Sequence, residues 1–232
     1  MSQAKELSTA FQKSRFLNIK GVLHDFSQPK IMGILNITPD SFYEESRILK
    51  QEQLLERAKN MIDAGADILD LGASSTRPNA SINSAQEEIE RLGDSILALK
   101  KNFPHLLVSL DTYYGAVAQH GIEQGADIIN DISAGQFDPT LWPVVAASQI
   151  PYILNYNRAN QQNEASSHLK NKGIVSDALS FLSEKQAALK ALGCTDILID
   201  PGFGFGKSLN ENHELLQKLE HLHLLGAPLL VG

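Results

Sequence analysis

A short segment that joins a helix to a strand occurs twice in nearly the same form, and this repeat constrains the fold more than any other feature. Ala64-Gly-Ala-Asp-Ile-Leu-Asp70 resembles Gln124-Gly-Ala-Asp-Ile-Ile-Asn130, and Leu192-Gly-Cys-Thr-Asp-Ile-Leu-Ile-Asp200 is a looser copy. In each copy an amphipathic run ends at a glycine, the expected residue just past a helix C-terminus. A short apolar run follows, as expected of a buried parallel strand. Helices and strands therefore alternate along the chain.

The alternation predicts a parallel sheet with helical cover. The predicted strands lie near 31–36, 67–72, 106–111, 127–131, 151–155, 196–201 and 228–232. The predicted helices lie near 52–64, 85–101, 115–124, 176–192 and 211–224, with a shorter helical turn near 139–147. Residues 16–26 alternate enough to form a small hairpin ahead of the first core strand.

Two architectures fit such an alternation, the doubly wound open sheet and the (β/α)8 barrel. No G-x-G-x-x-G follows the first strand, which weakens the dinucleotide-binding option. Polar residues recur evenly at the strand ends, which favours the barrel. We therefore predict an α/β fold, a parallel (β/α)8 TIM barrel, as a single domain over residues 1–232 with a polar segment at 1–15.

The ends of the predicted strands carry the residues that could do chemistry, because active sites of such barrels lie there. Asp, Asn, Ser and Thr after a strand are common helix caps, and for any one of them capping is the simpler interpretation. Asp111, Asn130 and Asp200, however, would converge from three strands on one mouth. Such acceptors suit a ligand that donates hydrogen bonds, and the amino-pyrimidinone edge of a pterin is one.

The segment Pro201-Gly-Phe-Gly-Phe-Gly-Lys207 opens a glycine-rich loop ahead of a helix. Backbone N–H groups and a lysine could cradle a phosphate, although the spacing is not that of a Walker A motif. Alternatively, the two phenylalanines could wall a flat substrate while the glycines allow close backbone approach. We prefer the second interpretation, because Phe203 and Phe205 alternate with the glycines.

Five blocks in order resemble the dihydropteroate synthases. Ile31-Met-Gly-Ile-Leu-Asn-Ile-Thr-Pro-Asp-Ser-Phe42 is similar to that family's first signature, and Gly65-Ala-Asp-Ile-Leu-Asp-Leu-Gly-Ala-Ser-Ser-Thr-Arg-Pro78 is similar to its second. Val108-Ser-Leu-Asp-Thr112, Gly125-Ala-Asp-Ile-Ile-Asn-Asp131 and the block at 200–207 resemble three more. The similarity runs from about residue 16 to residue 232.

The resemblance implies a function: 6-hydroxymethyl-7,8-dihydropterin pyrophosphate is condensed with p-aminobenzoate to 7,8-dihydropteroate, in folate biosynthesis. The implied catalytic residues are Asp40, which would stabilise a pterin cation, and Arg77. The implied substrate-binding residues are Thr76, Asp111, Asn130, Asp200, Phe205 and Lys207. Asn36 is implied as a ligand of the cofactor Mg2+, which would help pyrophosphate leave.

The chain departs from the family pattern at several points. Ala73 and Ser74 replace a glycine and a glutamate of the second signature, and Asn155-Tyr-Asn157 stands where the family commonly has Met-His-Met. Two cationic blocks, expected after the seventh strand and at the eighth, do not occur up to Gly232. We therefore expect a C-terminally incomplete barrel that lacks strand eight and its flanking helices, and we expect these 232 residues alone to be catalytically incompetent.

The composition limits the classes of molecule that the protein is expected to bind. A net charge of −7 argues against nucleic acid or a membrane surface as the main partner. No apolar stretch has the length of a membrane span or of a signal peptide, and a single cysteine, Cys194, permits no internal disulfide. We expect a cytoplasmic protein whose partners are small-molecule substrates, and the family resemblance adds a possible homodimer.

Three other functions stay open at this stage. The first is a non-catalytic pterin-binding relative that keeps Asp111, Asn130 and Asp200. The second is a methyltetrahydrofolate-binding methyltransferase domain, which shares the pterin barrel. The third is a generic phosphate-binding barrel with no pterin site. The loop after Asn36 and the Thr76-Arg77-Pro78 segment favour the synthase.

Overall fold

The computed structural model describes residues 16–37, 44–73, 83–163 and 173–232. A β-hairpin opens this part of the chain, with β1 at Phe16–Ile19 and β2 at Val22–Asp25. Lys20 and Gly21 both have positive φ angles, 52° and 84°, as a two-residue turn matched to the strand twist requires. The predicted hairpin is confirmed.

Six parallel strands follow, and each lies beside the next one along the chain. They are β3 at Met32–Asn36, β4 at Ile68–Gly72, β5 at Leu107–Asp111, β6 at Ile128–Asp131, β7 at Tyr152–Asn155 and β8 at Ile197–Asp200. Beyond β8, Leu229 forms a single parallel bridge with Ile199. Six predicted core strands are thus confirmed, and the seventh is present as this bridge.

Helices cover the sheet between the strands. They are α1 at Glu44–Asp63, α2 at Ala85–Leu92, α3 at Ser95–Asn102, α4 at Gly115–Gln124, α5 at Leu141–Ser148, α6 at Ile174–Ala191 and α7 at Leu209–Gln217. 3-10 turns follow at Arg158–Asn163 and Leu219–Leu225.

Two predicted helices differ from those in the structure. The prediction of a single helix at 85–101 is wrong. The helix is interrupted between α2 and α3 at Gly93, which has a φ of 46°. The helix predicted at 211–224 ends at Gln217 and continues as a 3-10 turn. None of the described helices is long and apolar enough to span a bilayer.

Two separate apolar clusters distinguish the faces of the sheet. The larger contains outward-facing strand residues such as Leu71, Leu110 and Leu154, and it packs against the helices. The smaller is formed by Ile68, Ile128, Ile153 and Leu198 from the strands with Leu17 and Ile19 from the hairpin. The helices therefore cover one face only, and the other face encloses its own core above the hairpin. Strands in consecutive order with this division are typical of a barrel and not of a doubly wound sheet.

Candidate active site

A polar layer lies directly above the inner apolar cluster. Side chains two residues apart on a strand point to the same face, so each inward apolar residue predicts the next inward position. The residues two positions beyond Ile68, Leu107, Ile128, Ile153 and Leu198 are Asp70, Ser109, Asn130, Asn155 and Asp200. The interior thus changes from apolar to polar towards the carboxyl ends of the strands, where sites of such folds lie.

Asp70 and Asn130 form the first polar pair of this layer. Asn130 donates from Nδ2 to Oδ2 of Asp70 at 3.0 Å, and Asp70 is only 6% exposed. Burial raises the pKa of Asp70, although its hydrogen bonds oppose that shift. Within the described residues, Oδ1 of Asp70 and Oδ1 of Asn130 have no hydrogen-bond partner. Both oxygens retain lone pairs for a donor, and the hydroxyl of Ser109 lies close enough to Asp70 to lower its pKa.

Asp111 and Asn36 lie one step nearer the mouth, on either side of Gly72. A Cβ atom placed on Gly72 would be 2.8 Å from Oδ1 of Asn36 and 3.5 Å from Oδ2 of Asp111. Burial raises the pKa of Asp111 well above its usual range, and the negative charges of Asp70, Asp131 and Glu88 add to the shift. Gly72 therefore keeps the space between two oxygen-bearing side chains open.

Asn155 and Asp200 form the second polar pair. Asn155 donates from Nδ2 to Oδ2 of Asp200 at 2.7 Å, and the backbone N–H of Gly202 donates to Oδ1 at 2.7 Å. Burial raises the pKa of Asp200, whereas these two hydrogen bonds and the charge of Lys207 lower it. The carboxyl group is fixed in direction, and each oxygen retains a further lone pair.

The loop that follows β8 brings Phe205 and Lys207 to the rim. Nζ of Lys207 donates to the carbonyl oxygens of Tyr156 at 2.7 Å, Gly202 at 2.5 Å and Phe205 at 3.3 Å. It also lies 4.5 Å from the ring centroid of Tyr156. Burial lowers the pKa of Lys207 to about 8. All three ammonium hydrogens are donated to backbone carbonyls of the loops after β7 and β8, so contact with a substrate would require Lys207 to release one of these carbonyls.

The structure brings most of the described predicted residues together. Asn36, Asp111, Asn130 and Asp200 occupy the interior or its mouth, and Phe205 and Lys207 lie in the adjoining loop. Asp40, Thr76 and Arg77 lie outside the described residues.

Sequence reasoning missed Asp70 and Asn155 as members of the layer. The available signal was a polar residue in an otherwise apolar strand, in the middle of Ile68-Leu-Asp-Leu71 and at the end of Tyr152-Ile-Leu-Asn155. Asp131, by contrast, faces the helices and accepts hydrogen bonds from Tyr152 Oη and from the N–H groups of Ser133 and Gly135. Its role is structural.

Known proteins with the same architecture decide the family. The sequence model described as "Pterin binding enzyme" matches residues 32–232. A dihydropteroate synthase of Streptococcus pyogenes serotype M3 is 40% identical over 204 residues, which are 87% of this chain and 73% of that protein. The chain belongs to the dihydropteroate synthase family.

Two further relatives agree with this family assignment. The mitochondrial folate synthesis bifunctional protein of Arabidopsis thaliana is 38% identical over 236 residues, covering 94% of this chain and 42% of that protein. The structure of a Xanthomonas albilineans dihydropteroate synthase with 4-aminobenzoic acid superposes with a TM-score of 0.81 at 33% identity, covering 94% of this chain and 78% of that one. The chain thus spans under half of the bifunctional protein and about three quarters of the others.

Membership of the dihydropteroate synthase family confirms the predicted fold. The six consecutive parallel strands with external helices are the corresponding part of the (β/α)8 barrel of that family. The polar layer lies at the carboxyl ends of its strands.

Proposed function

We propose that the chain carries dihydropteroate synthase activity, condensing 6-hydroxymethyl-7,8-dihydropterin pyrophosphate with p-aminobenzoate to give 7,8-dihydropteroate and pyrophosphate. The observation that supports it best is the set of acceptors above the inner apolar cluster. Oδ1 of Asp70 and Oδ1 of Asn130 have no partner among the described residues, and the carboxyl of Asp111 stands beside them. Such a set of acceptors favours a flat ligand with several N–H donors.

The pterin edge would bind across this layer. Its adjacent N–H donors match a carboxylate such as Asp200, whose direction is set by Asn155 and by the N–H of Gly202. Charge-assisted hydrogen bonds of this kind are stronger than neutral ones when water is excluded. The apolar cluster below closes the pocket, so the pterin would stand with its donor edge inwards and its methylene towards the rim.

The p-aminobenzoate would bind at the rim near Phe205. That ring is half-buried, and it belongs to the loop that Lys207 holds against the backbone after β7. The similar Xanthomonas albilineans protein has been solved with 4-aminobenzoic acid. An aromatic side chain at this point suits stacking or edge contact with a benzoate ring.

The reaction is a substitution at the pterin methylene carbon. The C–O bond to pyrophosphate breaks and pyrophosphate takes the electron pair. The lone pair of the amine then forms the C–N bond, and the nitrogen loses a proton to solvent. We assign Asp40 to stabilise the positive charge on the pterin, and Thr76 and Arg77 to contact the pyrophosphate end.

The residues at the mouth fit Mg2+ as the cofactor. Asn36 offers an amide oxygen, and Oδ2 of Asp111 lies on the other side of the space kept by Gly72. Mg2+ takes oxygen ligands and is commonly held by one or two protein groups together with substrate phosphates. When bound, the ion would neutralise charge on the departing pyrophosphate.

A buried, unpaired Cys194 is compatible with a reducing cytoplasm. A homodimer is proposed from the family resemblance.

Two measurements test the proposed function. Calorimetric titration with the pterin pyrophosphate in the presence of Mg2+ should show one site per chain. Release of pyrophosphate on addition of p-aminobenzoate tests whether residues 1–232 suffice for the reaction. A folded chain that binds pterin but releases no pyrophosphate would be a pterin-binding protein without the activity. A folded chain that binds no pterin would overturn the assignment of the pocket.

A further inference from the structure

Two loops at the rim are tied to each other more closely than the strands beneath them require. One loop, at 156–159, follows β7, and the other, at 201–207, follows β8 and carries Phe205. Besides the strand pairing, the N–H of Arg158 donates to the carbonyl oxygen of Phe205 at 3.2 Å. This bond joins the backbone of Phe205 directly to the neighbouring loop.

The two backbones also touch at glycines. A Cβ on Gly202 would lie 2.4 Å from the carbonyl oxygen of Tyr156, and one on Gly206 would lie 2.3 Å from the backbone nitrogen of Ala159. No real side chain tolerates such distances, so the loops are in contact on both sides of Phe205. A shift of the loop at 156–159 would therefore move the phenylalanine.

The side chain of Arg158 extends this contact to α7. Its guanidinium forms an ion pair with Oε1 of Glu211, and both side chains are partly buried. Glu211 is the third residue of α7 and accepts hydrogen bonds from the N–H and hydroxyl of Ser208 as part of a capping box. The pair thus connects the loop after β7 to the start of the helix that the loop after β8 leads into.

We propose that Arg158 is a positioning residue, which fixes the loop carrying Phe205 through its ion pair with Glu211 and its backbone bond to Phe205. It touches no reacting group. The identity of the ligand that meets Phe205, p-aminobenzoate, rests on the proposed function. The coupling of the two loops does not.

A purely stabilising ion pair would behave differently. Removing it would lower the free energy of unfolding and leave the local order of the rim unchanged. Lys218 and Glu214 form such a pair along one turn at the end of α7, at 2.8 Å and largely exposed. Lys218→Gln is therefore a matched control for Arg158→Gln, and Arg158→Lys tests whether charge alone suffices.

Hydrogen exchange followed by mass spectrometry tests the coupling without any ligand. We expect Arg158→Gln to speed hydrogen exchange in peptides covering 156–159 and 202–207 by about fivefold, because one partly buried ion pair is lost. Peptides from β5 and β6 should be unchanged, Arg158→Lys should recover part of the protection, and Lys218→Gln should have no effect at the rim. Equal exchange in Arg158→Gln and Lys218→Gln would overturn the proposal.

Ligand binding tests the consequence. In the full chain with Mg2+ and pyrophosphate, Arg158→Gln should weaken p-aminobenzoate about fivefold and leave the affinity for a pterin without its pyrophosphate unchanged. Unchanged affinity for p-aminobenzoate in a protein that binds it would overturn the positioning role. If the unaltered protein binds no p-aminobenzoate, the proposed function fails, and the exchange data decide the coupling alone.

Discussion

The side-chain amide of Asn155 donates a hydrogen bond of 2.7 Å to Oδ2 of Asp200 inside the sheet. Asn155 is 1% exposed, and its Oδ1 has no partner within the described part of the chain. Asn130 is bound to Asp70 in the same manner, from Nδ2 to a carboxylate oxygen. Each amide thus donates a hydrogen bond to a carboxylate, and its own oxygen remains as an acceptor in the interior. This pattern is the physical basis of the pterin proposal.

Asp200→Ala should weaken pterin binding by about 2–4 kcal/mol, because it removes an acceptor from two buried donors of the ligand. Calorimetric titration of the altered and unaltered chains measures the difference. Asp63→Asn is a suitable control, since within the described residues the side chain of Asp63 forms an exposed pair with Lys59 on α1. A loss below about 0.5 kcal/mol would count against Asp200 as a ligand residue.

Asn155→Met would place the common family residue beside Asp200. We expect a higher pKa for Asp200, because the substitution removes a hydrogen bond that lowers it. The free energy of unfolding near pH 7 should fall by about 1–3 kcal/mol, the cost of a buried carboxylate that has lost a partner. Urea denaturation at pH 5 and pH 7 measures this. A larger loss at pH 5 than at pH 7 would contradict the mechanism, because a protonated carboxyl group needs the amide less.

Asp111→Asn should raise the free energy of unfolding and lower the affinity for the pterin. Burial and neighbouring negative charges raise the pKa of Asp111 in the folded state. The folded chain then holds a proton that the unfolded chain releases, so stability falls as the pH rises from the unfolded pKa towards the folded one. The substitution should therefore add on the order of 1 kcal/mol at pH 8 and less at pH 4.

The same carboxyl group should make pterin binding depend on pH. Binding through an ionised Asp111 releases the proton that the free protein holds, so the affinity should rise with pH until the free protein has lost it. Calorimetry in two buffers of different ionisation enthalpy measures the proton release. An affinity that falls as the pH rises from 5 to 8 would show that Asp111 acts as a neutral donor.

Much of the fold was predictable because local signals agree with the global arrangement. The glycine after α4, Gly125, has the left-handed conformation that ends a helix, and Ile128 begins a strand three residues later. The break at Gly93 was not predictable from periodicity, since the apolar residues continue in register across it. There the backbone conformation of one glycine decided the outcome.

The candidate site was predictable only in part, for a related reason. Asp111 and Asp200 end their strands and Asn130 is the last residue but one of its strand, so their position along the chain indicates the mouth. Asn155 also ends its strand, but the roles of Asp70 and Asn155 depend on which neighbour each side chain faces, and strand register sets that. Arg158 follows a strand as a polar residue like many others. Its partner Glu211 lies 53 residues away, and only the folded chain brings them together.

Gly206→Ala should lower the free energy of unfolding more than most single substitutions at the rim. Gly204→Ala is its matched control. Both glycines have positive φ angles, 66° and 82°, so alanine is strained at either position. A Cβ on Gly206 would meet the backbone of Ala159, whereas a Cβ on Gly204 would meet nothing within 4 Å. We expect Gly204→Ala to cost about 1 kcal/mol, the conformational strain alone. Gly206→Ala should cost about 2–4 kcal/mol, because the backbone of the neighbouring loop must also move.

Chemical denaturation measures both free energies of unfolding. Equal losses in the two variants would show that the loops at 156–159 and 201–207 part readily, and would remove the packing on which the position of Phe205 depends.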